Sequence, residues 1–387
     1  MKITAVKGIG LRCACEPIHD ALSTSRARQA LLVVVETDAG LCGVGEAFTY
    51  GAPLAAAKAV VEQQLAPRLV GRDPLRIAEA WDAMHWGTLA SGRRGITMGA
   101  VSGVDIALWD LRGKAEHKPV SALLGGVRDR IPSYASGGFY APGKDTDALR
   151  RELEGYMRMG YRDAKIKIGR TPRLPGSPLC ALGPAEDAVT PDEDWRRVEA
   201  ARETVDGWLA VDTNASWDAA TALQNAPELV RLGVSRLEEP IPFEDVAGFA
   251  RLRRACPGLL VMGCETQQGE AGFSAMLDAG ALDIVQPDAG WAGGITECVR
   301  IGRAAAAHGC GVSLHCFGSA VLFAASLHLC AALPGLEPLE SEENPNPLKT
   351  ALTRAPFEAD GHMNWLVPQG DGLGIDLDPA ALETFAV

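Results

Sequence analysis

From Arg130 onward the chain repeats one device: a short apolar run, a polar residue at its end, then a helical stretch before the next run. The runs cover 131–135, 163–168, 208–212, 236–239, 259–264, 282–286, 311–315 and 338–340. Strands alternating with helices in this way pair in parallel through crossover connections. Eight of them predict a closed α/β barrel of the (β/α)8 type. Asp212 closes WLAVD, Glu238 closes SRLE and Glu265 closes LLVMGCE; Asp288 follows DIVQP, His315 closes GVSLH and Glu340 closes EPLE. The steps between them are 26, 27, 23, 27 and 25 residues, about one strand–helix unit each.

A barrel turns that period into convergence, because the C-terminal ends of its strands open onto one face. A single acid after a strand is ordinarily a helix cap or a solvated loop residue. Five acids and a histidine aimed at one volume are another matter, since they repel and are costly to desolvate. The pattern therefore predicts a bound divalent cation, helped by Lys165 and Lys167, which alternate in DAKIKIG and so face the same way. Carboxylate ligands without His or Cys suit Mg²⁺, or Mn²⁺, and not zinc. Asp288, one strand from His315, offers it an orienting carboxylate. Of the adjacent Glu238 and Glu239 only one can face inward; Glu238 is assigned there and Glu239, before Pro240, to the helix side. No His-x-His pair, GxSxG elbow or Walker A loop is present. Gly43-Val44-Gly45 lacks the later glycine and helix of a dinucleotide loop and reads as a turn.

Ahead of the barrel, 1–15, 30–37 and 41–47 read as antiparallel strands, and 53–69, 74–87 and 96–116 as helices. This gives an α+β capping domain over 1–129, the barrel over 130–357, and a segment 358–387 that returns to the cap. The formal charge of −12 argues against a nucleic-acid partner. No stretch of eighteen uncharged apolar residues suggests a membrane span, and the N-terminus lacks the apolar core of a signal peptide. Ten cysteines without a CxxC pair fit a reduced, cytoplasmic protein.

VSGVDIALWDLRGK at 101–114, KIK at 165–167, VDTN at 211–214, LEEP at 237–240, GCET at 263–266, QPDAG at 286–290 and LHCFGSA at 314–320 together resemble the mandelate racemase subgroup of the enolase superfamily, over nearly the whole chain. The resemblance implies Asp212, Glu238 and Glu265 as Mg²⁺ ligands. It implies Lys167 as a base on one face of a carboxylate substrate, and His315, paired with Asp288, on the other. Lys165 would neutralise the substrate carboxylate and Glu340 would hydrogen-bond its other oxygen; Asn214 would support metal or substrate. It also implies a homo-oligomer, an octamer or a dimer. The reaction implied begins with loss of the proton beside the carboxylate. Dehydration of an acid sugar to a 2-keto-3-deoxy acid is the favoured outcome, with racemisation, epimerisation or lactone cycloisomerisation as alternatives. A non-catalytic barrel would not keep Lys167, Asp288 and His315, and a zinc hydrolase would differ in its metal. One departure stands out: Asp212 follows Lys167 by 45 positions, the excess lying in a Pro/Gly-rich stretch from Arg170 to Pro191 that is either a surface insertion or a lid or subunit contact. Substrate choice is expected from the loops 19–28 and 48–52, with His19 and Tyr50 as candidate contacts. Trp291 either lines the pocket or packs behind it.

Overall fold

The computed structural model describes residues 1–92, 94–171, 182 and 185–387. Three antiparallel strands open the chain: β1 (Ile3–His19), β2 (Thr24–Thr37) and β3 (Cys42–Ala47), in the order β1-β2-β3. β1 runs four residues beyond its expected end and β2 begins six residues before its expected start, and the two meet at the turn 20–23. The expected helix over 53–69 is interrupted, because Val60–Leu65 takes the wider π geometry between two short α segments, just before Pro67.

Gly43-Val44-Gly45 is not a turn. It lies inside β3, and a Cβ on either glycine would collide with the carbonyl oxygens of Ala107 and Gly103 on the helix Ile96–Glu116. The glycines let that helix lie against the sheet backbone. Asp110, buried on the same helix, accepts from Val44 N (2.8 Å), Leu373 N (2.8 Å) and Lys114 Nζ (2.7 Å), so it joins helix, sheet and C-terminal segment.

The run at 131–135 splits. β4 (Arg130–Ile131) pairs antiparallel with β13 (Trp365–Leu366), and β5 (Ser133–Ser136) begins the barrel. The parallel sheet continues through β6 (Ala164–Lys167), β7 (Leu209–Asp212), β8 (Arg236–Glu238), β9 (Leu260–Gly263), β10 (Ile284–Val285) and β11 (Gly311–Val312) to β12 (Leu339–Glu342), which pairs back onto β5. Val312 N→Gly335 O (2.9 Å) and Glu337 N→Val312 O (2.8 Å) join the remaining edges, β11 and β12. The chain ends in a helix, Pro379–Phe385, beside β1, where Val387 N donates to Gly10 O (3.0 Å).

Candidate active site

Register alone sets one row of the site. Lys167 stands opposite Asp212, and Asp212 opposite Glu238, on three neighbouring strands. Lys165, two residues earlier, points into the same interior one level lower. Glu265 follows the end of β9, and with Asp212 and Glu238 it offers three carboxylate oxygens within 4.8 Å of one another, all buried. Lys165 Nζ bonds Glu238 and lies 2.8 Å from Glu340 Oε1; Lys167 Nζ bonds Asp212. Ser136 Oγ also donates to Glu340 Oε1 (2.6 Å), and Gln286 Nε2 to Glu238 Oε2 (2.7 Å). Asn214 donates from N and Nδ2 to Asp212, at 2.8 and 3.2 Å.

Across the ring of strands, Asp288 Oδ2 lies 2.6 Å from His315 Nδ1, while Gly290 N fixes the other carboxylate oxygen at 2.7 Å. The opposite ring nitrogen, Nε2, is 3.6 Å from Glu265 Oε2 and 4.0 Å from Glu340 Oε2. Tyr50 stacks on the imidazole (5.8 Å between ring centres) and donates from its hydroxyl to Glu265 O (2.9 Å). Lys167 and His315 therefore flank the three acids from opposite sides.

Electrostatics follow from this crowding. Burial would lower Lys165 and Lys167, but Glu238, Glu340 and Asp212 outweigh it and hold both ammonium groups charged. Burial raises Glu238 well above the carboxylate range, whereas Asp212 and Glu340, also buried, are pulled below it by the two lysines, helped at Glu340 by His315. At His315 burial works downward, yet Glu265, the bond to Asp288 and Glu340 push it up to about 10. Glu265 Oε2 is buried and finds no hydrogen-bond partner among the described residues. Oxygen donors so arranged fit a hard divalent cation.

These groups open onto a cavity of about 730 Å³ between barrel and cap. Lys167, Asn214, Glu265, His315, Glu340, Tyr50 and Trp291 line it. Trp291 does both things allowed for it, since it faces the cavity while its indole N–H donates to Thr266 O (2.9 Å). Two expectations need correction. Glu239 does not turn to the helices: with φ at 40° its side chain lines the cavity and accepts from Cys264 N (2.9 Å). His19 does not line the cavity. Its ring is fully buried against Thr24 Oγ1 (2.8 Å) and Arg170 Nη2 (3.4 Å). Arg170, three residues beyond Lys167, also donates to Asp20 O and Ser23 O (2.5 and 3.0 Å), so it fixes the turn 20–23. Of the Pro/Gly-rich stretch, 172–181, 183 and 184 lie outside the described residues. Gln286 and Ser136 were missed; Gln286 stands in the QPDAG motif, two residues before Asp288, and that spacing put it on the inward face.

Residues 148–381 match the model of the enolase C-terminal domain-like family, and 4–125 that of the mandelate racemase / muconate lactonizing enzyme N-terminal domain. An arabinonate dehydratase from Saccharolobus solfataricus is 34% identical, over 91% of this chain and 89% of its own. A D-galactarolactone cycloisomerase from Agrobacterium fabrum is 33% identical, over 100% and 99%. The crystal structure of a racemase from Streptomyces coelicolor A3(2) with bound magnesium superposes with a TM-score of 0.87 at 26% identity, covering both chains completely. With both halves matched by their own models, the chain belongs to the mandelate racemase subgroup of the enolase superfamily.

Proposed function

We propose that this chain is a Mg²⁺-dependent enzyme that removes the proton beside a substrate carboxylate and dehydrates an acid sugar to a 2-keto-3-deoxy acid. The observation that carries the reading is the trio of carboxylates within 4.8 Å of one another, flanked by Lys167 and the Asp288-held His315. The arabinonate dehydratase and the magnesium-bound racemase support it. Asp212, Glu238 and Glu265 would hold the ion, which supplies Lewis-acid stabilisation of the charge developing on the substrate carboxylate and offsets the field that keeps both lysines protonated. Lys167 takes the C2 proton. Lys165 meets the carboxylate as it becomes an enediolate, an interaction that strengthens as charge builds, and Glu340 hydrogen-bonds the other oxygen when it carries a proton. His315, oriented by Asp288, gives a proton to the hydroxyl on C3; that C–O bond breaks, water leaves, and the enol tautomerises to the 2-keto acid.

The same two-faced site opens a lactone by elimination when the leaving oxygen belongs to a ring, a reading favoured by the cycloisomerase relative. Incubation with Mg²⁺ and panels of aldonates, aldarates and their lactones separates these, with semicarbazone absorbance reporting the 2-keto product. Exchange of the α-proton in D₂O without that product would replace dehydration by racemisation. Neither exchange nor product would end the assignment.

The proposal divides the chain into a cap over 1–129, a barrel over 130–357 and a returning segment over 358–387. Its substrate is a small carboxylate and no nucleic acid, given the charge of −12. Among the described residues no helix is long and apolar enough to cross a membrane. The nine described cysteines, all free thiols, support a cytoplasmic setting. Homo-oligomerisation, as octamer or dimer, rests on the subgroup resemblance.

A further inference from the structure

One wall of the cavity, beside Phe317, is built by Arg28 of β2. The side chain is 4% exposed, and its guanidinium lies 4.7 Å over the Phe317 ring, which in turn stacks 6.5 Å from His315. Its Nη2 donates to Glu342 Oε1 (2.9 Å) and its Nε to Pro345 O (3.2 Å). Nη1 is buried and meets no hydrogen-bond partner among the described residues, although Arg28 lines the cavity. A buried charged donor left unpaired is costly, so a ligand atom that accepts from it is favoured.

The charge around that donor decides which acceptor. Glu342, 3% exposed and outside the cavity lining, already neutralises Arg28. The nearby Lys349 has its own partner in Glu343 at 3.9 Å. Arg26, also on the wall, is held by both carboxylate oxygens of Glu186 (2.7 and 2.8 Å). Arg12 is exposed, where pairing with an anion contributes little. A second substrate carboxylate at Arg28 would therefore enter as an extra buried negative charge beside Glu342, while a hydroxyl would accept from Nη1 without one.

We propose that the neutral Arg28–Glu342 pair reads a hydroxyl at the far end of the substrate, so that the chain selects monocarboxylic polyhydroxy acids (aldonates) over dicarboxylic ones (aldarates). This rests on the acid-sugar reading above and narrows it. The test compares a six-carbon aldonate and the aldarate of the same configuration, by calorimetric titration in Mg²⁺ and by turnover, in wild type, Glu342→Gln and Arg28→Met. Wild type binds the aldonate more tightly. Glu342→Gln keeps an acceptor for Arg28 but removes the charge, and it shifts the affinity ratio toward the aldarate by roughly tenfold or more. Arg28→Met raises KM for the aldonate with kcat nearly unchanged. Circular dichroism confirms that each variant is folded, and should Arg28→Met fail to fold, the Glu342→Gln ratio decides alone. A wild-type preference for the aldarate, or an unchanged ratio in Glu342→Gln, overturns the inference even if dehydration is observed. The expected ratios without any turnover would leave it standing and remove the dehydratase reading. Binding of neither acid removes both.

Discussion

Each of the three clustered acids lies within two residues of one whose backbone is in the left-handed region: Asn214 (φ 44°) two beyond Asp212, Glu239 (φ 40°) after Glu238 and Cys264 (φ 74°) before Glu265. Such conformations cost on the order of 1–3 kcal/mol apiece and persist only where surroundings hold them. Here the holding bonds are Asn214 N→Asp212 Oδ1, Glu239 N→Met262 O and Cys264 N→Glu239 Oε1. The strain sits where the strands must release their ladder and aim a carboxylate inward. Glu238→Gln and Glu265→Gln are each expected to abolish Mg²⁺ binding in calorimetry together with turnover; near-normal activity in both would defeat the ligand assignment. Lys167→Met should still bind Mg²⁺ while α-proton exchange falls by roughly 10²–10⁴-fold, the contribution of a positioned base. Gln286→Leu takes the hydrogen bond from Glu238 Oε2 and should weaken metal affinity roughly 10–100-fold, read in the same titration. The inward acids were legible because strand period and unit length together fix where a side chain points. Glu239 and His19 were not: one depends on a backbone dihedral, the other on Arg170, 151 positions away in sequence.

At the scale of elements, the alternation of strand and helix was readable throughout, and errors fell where one element presses on another. Gly43 and Gly45 carry no local sign that a helix lies over them. The helix Ala320–Ala332 is apolar on every side and shows no amphipathic face, because barrel and cap both cover it. Two of its contacts carry predictions. Its first turn is held by Glu46 of β3, which accepts from Ser319 N, Ser319 Oγ and Leu322 N. Glu46→Ala leaves those donors buried without an acceptor and should lower stability by about 3 kcal/mol, seen as a reduced urea midpoint. Near its other end, His328 Nδ1 accepts from Ser121 N (3.1 Å), so that nitrogen must stay unprotonated, and burial pushes the imidazole down to about 4. In the unfolded chain the same ring titrates near 6.5. The unfolded state thus binds the proton first on acidification, and stability falls as pH drops from 6.5 toward 4, by about 3 kcal/mol from this group. Replacement by Asn should flatten that part of the stability–pH curve; an unaltered slope would show that other groups set it.

For the whole molecule the decisive fact is that the cavity belongs to neither half. Its floor comes from barrel strand ends, and its roof from Arg28, Phe48 and Tyr50 of the first fifty residues. Phe48 N→Gly290 O (2.9 Å) and Tyr50 Oη→Glu265 O (2.9 Å) tie that roof to the loops carrying Asp288 and Glu265. The cap was visible in sequence as a change of rhythm, but these ties join residues more than two hundred positions apart and leave no local trace. An ion held by Asp212, Glu238 and Glu265 acts on this whole assembly, because in the unfolded chain those acids are scattered and bind it poorly. At a concentration a hundredfold above its Kd, the ion should stabilise the fold by about 2.7 kcal/mol, raising Tm by a few degrees, and chelation should reverse the gain. Glu265→Gln should lose the response. Glu46→Ala, which loosens the start of a helix that carries none of the three acids, should melt lower yet keep the full Mg²⁺ increment, so a general loss of stability cannot imitate loss of the site. An equal Mg²⁺ shift in wild type and Glu265→Gln would place the ion elsewhere and leave the strand-end acids without the cation that their convergence demands.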